Sequence, residues 1–215
     1  VKNLDDFKYF NLAKELFDIL KKRYKNCEIK FIGGTVRKLI NGEKIDDIDI
    51  AINLDPQKIK EVLISKKIKF IETGVSHGTI TVIIKNFKFE ITSLRKDVNT
   101  DGRHAEVEFI SDWEEDAKRR DFTFNAIYAD IRGEVYDPIG GFNDLRNGII
   151  KFIGDPDQRI QEDYIRILRY LRFYVQYGSN NLHHENTVKA IKKNLEGLTK
   201  ISKERIIDEL FKMMK

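Results

Sequence analysis

The stretch Ile45-Asp46-Asp47-Ile48-Asp49-Ile50-Ala51-Ile52 alternates apolar and acidic residues, the pattern of a β-strand with one buried face. On such a strand Ile48, Ile50 and Ile52 point into a core, while Asp47 and Asp49 project together from the other side. Neighbouring carboxylates repel unless a cation lies between them. Mg²⁺ suits hard oxygen ligands and binds through a few carboxylates plus substrate phosphates. The pair could therefore hold Mg²⁺ that activates an attacking hydroxyl and stabilises a leaving pyrophosphate. Taken alone, two exposed acids at a strand end are the plainer reading. Asp46 belongs to the opposite face and suits a turn.

Upstream, Phe31-Ile32-Gly33-Gly34-Thr35-Val36-Arg37 sets a glycine pair between a short strand (Glu28–Ile32) and a helix over Thr35–Ile40, which Asn41-Gly42 ends. Glycines let the backbone approach a phosphate, and a helix N-terminus offers free N–H groups. Arg37, one turn in, could reach a triphosphate oxygen. No Gly-Lys-Ser/Thr follows, so this is not a Walker loop. A glycine pair by itself is more often a tight turn; its weight comes from Asp47 and Asp49 downstream.

Farther out, the spacing predicts an amphipathic helix from Phe7 to Tyr24, with Phe10, Leu12, Leu16, Ile19 and Leu20 on its apolar side. A helix follows at Pro56–Ile64, then strands at Lys69–Glu72, Thr79–Ile84 and Phe87–Leu94, the last two turning at Asn86. The polar run Arg95–Ala105 predicts a mobile loop, Glu114–Ala126 a helix, and Ile127–Ile131 with Val135–Tyr136 a strand pair. Asp137–Arg146 reads as a loop. After Gly154-Asp155-Pro156 the pattern turns helical, over Ile160–Tyr177, Glu185–Leu195 and Ser202–Met214. The chain is thus expected to be α+β: a mixed-sheet domain over residues 1–155, then an all-helical one over 156–215.

Composition narrows the class. Among 215 residues, 14 Phe and 8 Tyr argue against disorder despite 34% charged residues. No apolar run approaches the roughly 20 residues of a membrane span, and Val1–Phe10 shows no secretory signal. The single cysteine, Cys27, excludes an intrachain disulfide or a multi-cysteine zinc site and is expected to be a small buried residue. A soluble, cytoplasmic protein without membrane contact is the expectation. Residues 158–215 carry 12 Lys+Arg against 7 Asp+Glu, a basic rear that suits a polyanion such as a nucleotide or RNA, or an ordinary solvated helix surface.

Five ordered motifs between Ile29 and Tyr177 carry a resemblance. Gly33-Gly34-Thr35-Val36-Arg37 with Asp46-Asp47-Ile48-Asp49 resembles the first motif of the nucleotidyltransferase superfamily, in the branch of class II CCA-adding enzymes and bacterial poly(A) polymerases. Arg119-Arg120-Asp121-Phe122-Thr123-Phe124-Asn125-Ala126 is similar to the second. Asp137-Pro138 with Gly140-Gly141 and Asp144-Leu145 follows, then Gly154-Asp155-Pro156 with Arg159-Ile160, which resembles the hinge motif. Last comes Glu162-Asp163 with Arg166, Arg169, Arg172 and Phe173.

The resemblance implies a nucleotidyltransferase-type mixed-sheet head followed by an all-helical neck. It implies template-independent, Mg²⁺-dependent transfer of CMP and AMP from CTP and ATP to the 3′ end of tRNA. Asp47 and Asp49 would be the catalytic, metal-binding carboxylates. Gly34 and Arg37 would contact the triphosphate, Arg120 and Asp121 the ribose, with Arg119 a further partner; Arg169 and Arg172 would help bind nucleotide. Glu90 is the candidate third carboxylate; a solvent-facing strand acid is its equal alternative. Lys38 stands where many relatives carry Asp. Full members continue into helical body and tail domains that hold tRNA, so this chain is expected to stop short of them. A poly(A) polymerase, a CC- or A-adding specialist and a non-catalytic RNA-binding remnant remain alternatives.

On a continuous helix Asp163 and Arg166 would lie one turn apart and present a shared edge. A carboxylate beside a guanidinium complements the amino donor and ring-nitrogen acceptor of cytosine and adenine. Guanine and uracil reverse that pattern, and an unpaired buried polar group costs about 1–3 kcal/mol. Arg169 and Arg172 are expected on the polar side, opposite Ile167, Leu168, Leu171 and Val175. His77 is read as structural, His183-His184 as linker surface, Trp113 as packing, and Asp101-Gly102-Arg103-His104 as part of the mobile loop.

Overall fold

The structure is a computed structural model that describes residues 8–74, 78–100, 105–179 and 183–214. His77 and Asp101–His104 therefore lie outside the described residues. The chain runs α1 (Phe10–Arg23), β1 (Ile29–Ile32), α2 (Gly33–Asn41), β2 (Ile48–Ile52), α3 (Pro56–Ser65), β3 (Lys69–Gly74), β4 (Thr79–Ile84) and β5 (Phe87–Ser93). It continues through β6 (Arg95–Thr100), β7 (Ala105–Phe109), α4 (Trp113–Lys118), a 3₁₀ turn at Thr123–Ala126, β8 (Tyr128–Ala129), β9 (Val135–Tyr136) and α5 (Gly141–Arg146). The rear is α6 (Pro156–Glu162), α7 (Ile165–Tyr177), α8 (Glu185–Asn194), a 3₁₀ stretch at Leu195–Lys200 and α9 (Lys203–Met213).

Seven strands form one mixed sheet in the order β3-β4-β5-β2-β1-β8-β9. Strand β2 is central: it pairs antiparallel with β1 and parallel with β5, in a register that sets Asp49 opposite Glu90. The β4–β5 hairpin closes through Lys85 and Asn86, both at positive φ, as a two-residue turn requires. Asp55 caps α3 by accepting from the Lys58 backbone N–H at 3.0 Å, with Pro56 at the first helical position.

The alternation read from β2 is what the fold uses. Ile48, Ile50 and Ile52 are fully buried in one cluster with Leu16, Phe17 and Leu20 of α1 and Ile59 and Leu63 of α3. Full burial of such side chains contributes about 1.5–3 kcal/mol each. Ala51 belongs instead to a second cluster with Ile32, Trp113 and Tyr128. Cys27 is buried, which pushes its thiol up to about 11. Trp113 packs edge-on to Tyr128, and its indole N–H also donates to Glu28 at 2.7 Å.

Several expectations need correction. The run Arg95–Ala105 is largely strand: β6 and β7 pair antiparallel, with Lys96 and Glu108 in a 2.8 Å cross-strand ion pair. The strand β2 begins at Ile48, so Asp47 lies just ahead of it. Helix α4 stops at Lys118 because the carbonyls of Arg119 and Arg120 accept from the Arg159 guanidinium instead of continuing the helix. Asp137–Arg146 contains α5, whose first turn is capped by Asp137 accepting from the Gly141 and Phe142 N–H groups, each at 2.9 Å. Finally, Ile160–Tyr177 is two helices, broken at Asp163-Tyr164.

The rear helices join the same core. Phe173 of α7 packs edge-on against Phe122 and Phe124, and Ile160, Ile167 and Tyr170 are buried with them.

Candidate active site

The site is built where α2 starts and β2 begins. Gly33 has φ +57°, a conformation glycine adopts without steric cost, and turns the chain from β1 directly into α2. Gly34 serves a different need: a Cβ there would lie 2.9 Å from Oδ2 of Asp49. Any side chain would thus displace the carboxylate. Thr35, fully buried, accepts from the Asp49 backbone N–H at 2.7 Å and ties the helix start to β2.

Asp49 carries charge that its surroundings do not compensate. Burial first, then Asp47 and Glu90, push its carboxyl up to about 6 against the opposing pull of Arg120 and Arg37. Asp47 is more exposed and lies 3.6 Å from the Lys38 ammonium. Glu90 is the register neighbour of Asp49 but is solvent-exposed. Among the described residues no group of three or more His, Cys, Asp or Glu side chains is gathered as a metal cage. A two-carboxylate oxygen donor set with surplus negative charge does fit a hard divalent cation whose remaining positions are filled by phosphate and water.

Arg37 is buried beneath this corner. It donates through Nη1 to Asn125 Oδ1, and its guanidinium lies 4.9 Å from the Phe173 ring centroid and 5.1 Å from that of Tyr177. Its Nε is buried without a hydrogen-bond partner among the described residues. Asn125 passes the connection on, donating to Asp121 at 2.9 Å, and Asp121 takes Arg169 through its other oxygen at 2.6–2.8 Å. Burial would raise Asp121, but Arg169, then Asn125 and the Phe122 N–H, hold its carboxyl well below the usual range. Arg120 is locked by Asp116 at 2.8 Å, which also accepts from the Tyr128 hydroxyl.

The neck arginines are not where helical periodicity placed them. Arg172 is buried, donating to Glu209 of α9 at 2.8 Å, and Leu171 and Val175 are exposed instead. Glu209 is fully enclosed and also meets Arg169 at 3.5 Å and Lys212 at 3.3 Å. Buried counter-ions outweigh side-chain hydropathy here. Asp163 ends α6 in an extended conformation, with φ −158° and ψ 105°, so it does not share a helix with Arg166. Its Oδ2 accepts from Arg205 at 2.7 Å, while Arg166 donates through Nη1 to Glu162 at 2.5 Å and to the Arg159 carbonyl at 2.7 Å.

The structure thus gathers Gly34, Asp47 and Asp49 at one corner. It joins Arg37 to Asp121 and Arg169 by one chain of hydrogen bonds. Asp163 and Arg166 stand beside each other at the α6–α7 break. Sequence reading missed Asn125, Thr35, Arg159, Arg205 and Glu209 as partners.

The sequence family described as "Poly A polymerase head domain" matches residues 29–151, more than half of the chain. The chain belongs to the poly(A) polymerase head-domain family. A second family, described as "Probable RNA and SrmB- binding site of polymerase A", matches residues 184–215, which include Arg205 and Glu209. The chain is 46% identical over 203 residues to the human protein named "CCA tRNA nucleotidyltransferase 1, mitochondrial", covering 94% of this chain and 46% of that protein. It is 41% identical over 188 residues to the "CCA-adding enzyme" of Lactobacillus helveticus, covering 86% of this chain and 46% of the relative. Among solved structures, the Bacillus stearothermophilus CCA-adding enzyme in complex with CTP superposes with a TM-score of 0.82 at 34% identity, over 96% of this chain and 48% of that one. The chain therefore spans about half the length of the relatives it matches. Its mixed-sheet α+β architecture is that of this nucleotidyltransferase family, whose members generally use a divalent metal. No helix among the described residues is long and apolar enough to cross a membrane.

Proposed function

We propose that the protein is a CCA-adding nucleotidyltransferase, transferring CMP and then AMP from CTP and ATP to the 3′ end of tRNA. The observation that carries this reading is the corner where Asp49 Oδ2 occupies the space a Gly34 side chain would fill, beside Asp47 and the open start of α2. Residues 1–155 are assigned as the catalytic head and 156–215 as the nucleotide-selecting neck. Asp47 and Asp49 would hold Mg²⁺, with Glu90 a third carboxylate nearby. Bound there, the metal supplies charge stabilisation for the attacking 3′ hydroxyl and the departing pyrophosphate.

The chain's own groups do the rest. The first N–H groups of α2 have no intrahelical acceptors, so they are available to a phosphate. Arg37 stands behind Gly34 and draws the triphosphate towards Asp49. Arg120 and Asp121 border the ribose. Asp163 and Arg166 present a carboxylate and a guanidinium to the base edge, Asp163 through Oδ1, which also accepts from the Ile165 N–H at 3.3 Å while Arg205 holds Oδ2. Arg169 and Arg172 steady that edge from behind, and Glu209 fixes them. CTP and tRNA enter this reading through the relatives' names and the bound CTP of the Bacillus stearothermophilus enzyme. A cytoplasmic location remains this reading's expectation from composition, against a human relative that is named mitochondrial.

The test is primer extension on tRNA ending before CCA, with Mg²⁺ and each nucleoside triphosphate singly, then CTP with ATP. Addition of C, C and A followed by a stop is the expected outcome. Long A tails would replace the reading with a poly(A) polymerase, and one or two C residues with a CC specialist. Absence of both addition and Mg²⁺-dependent CTP binding would overturn catalysis altogether.

A further inference from the structure

Helix α2 presents two residues to the acidic corner, four positions apart and therefore on one face. Gly34 makes room for Asp49, and Lys38, one turn later, extends its ammonium to 3.6 Å from Asp47 Oδ1. The Lys38 side chain is mostly enclosed, at 24% exposure, while that of Asp47 is 58% exposed. The other cations near the corner, Arg37 and Arg120, act on Asp49. Among the described residues, the ion-pair partner of Asp47 is Lys38.

We propose that Lys38 is a built-in counter-ion for Asp47 that competes with the divalent metal and makes metal retention depend on nucleotide. This rests on the assignment of Asp47 and Asp49 as metal ligands. A divalent cation held by Asp47 and Asp49 would share Asp47 with the lysine ammonium, and like charges about 4 Å apart repel by about 1 kcal/mol or more even in water-like surroundings. Lysine is a point charge on a flexible four-carbon stem, so it can leave Asp47 when another anion is offered. A triphosphate supplies that anion and further metal ligands together. In its absence the ammonium stays on Asp47, and the corner is half neutralised without metal. Lys38 is thus a positioning residue for metal and phosphate and takes no part in bond making.

The test is Mn²⁺ binding to the intact chain without nucleotide, followed by electron paramagnetic resonance. Lys38→Met is expected to bind Mn²⁺ roughly tenfold more tightly than the wild type, with the gap narrowing as salt rises. Lys38→Arg, which keeps the charge, should restore the weaker binding, an outcome that a purely structural role for the side chain would not produce. With CTP present, the difference between Lys38→Met and wild type should shrink, because the triphosphate then accepts the ammonium. Lys38→Gln serves as a second neutral variant, and thermal melting of each confirms folding. Equal Mn²⁺ affinity in wild type and both neutral variants, still abolished by Asp47→Asn, would overturn the inference and leave the metal assignment standing. Binding in no variant, or binding indifferent to Asp47→Asn, would overturn the metal assignment and this inference with it.

Discussion

Asp49 and Asp121 are both largely enclosed aspartates, and their surroundings treat them oppositely. Around Asp121 every lone pair has a use: Arg169 on one oxygen, Asn125 and a backbone N–H on the other, and Glu209 beyond to anchor the arginines. Its charge is complete, and the carboxyl is held well below the usual range. Asp49 has two more carboxylates near it and is pushed up to about 6. The first region is finished by the fold, and the second has charge left over. Surplus charge of one sign in a pocket is what a metal-dependent site needs before its metal arrives, whereas a saturated network serves to hold parts in place. The contrast therefore separates the groups proposed to do chemistry from the groups that position them.

The largest effect should come from removing the surplus charge. Asp49→Ala should lower nucleotide addition by at least about a thousandfold, since metal-borne charge stabilisation is worth several kcal/mol, while thermal stability holds or rises. Primer-extension rates beside melting curves check both halves. A variant that melts early would place Asp49 with the saturated group instead. Next, Asp121→Asn should cost about 3 kcal/mol of stability by urea unfolding, because it leaves Arg169 enclosed without its charge partner. A loss under about 1 kcal/mol would show that the network is dispensable.

The two aspartates also differ in the sign of their pH dependence. Asp49 keeps its proton longer in the folded protein than in the unfolded chain, so its contribution to stability falls as pH rises from 3.8 to about 6. Metal-free Asp49→Asn should then exceed the wild type at pH 7 by about 1–2 kcal/mol, and converge with it below pH 4. Asp121 behaves conversely: its stabilisation is full above the ordinary value of 3.8 and is lost as pH falls through its depressed folded value. Unfolding curves of the two Asn variants across pH 3–8 distinguish these slopes. The smallest change is expected for Arg205→Ala. Its half-exposed pair with Asp163 should be worth at most about 1 kcal/mol, yet its loss should alter the preference for CTP over UTP in addition assays.

Local sequence carried much of the fold. The strand alternation at Ile48–Ile52, the helix start at Pro56 and the turn at Asn86 depend on neighbours a few positions away, and they stand as read. Two of the misreadings share one cause. Arg119-Arg120 leave the helical path because Arg159, some forty positions later, takes their carbonyls. Arg95–Thr100 is polar yet forms a strand because Ala105–Phe109 supplies its hydrogen bonds. No local period announces a partner that far along the chain.

The candidate site divides in the same way. Sequence by itself determined the family motifs, the glycine pair, the two neighbouring aspartates and the arginine-rich rear, because each depends on residue identity. Only tertiary structure decided which charges are matched. It turned Arg172 inward by placing Glu209 against it, and parted Asp163 from the helix of Arg166. It also set Lys38 on Asp47 and left Asp49 with more nearby negative charge and burial than Arg120 and Arg37 offset. Electrostatic energy depends on distance and burial across the folded chain, and neither quantity is written in the order of the residues.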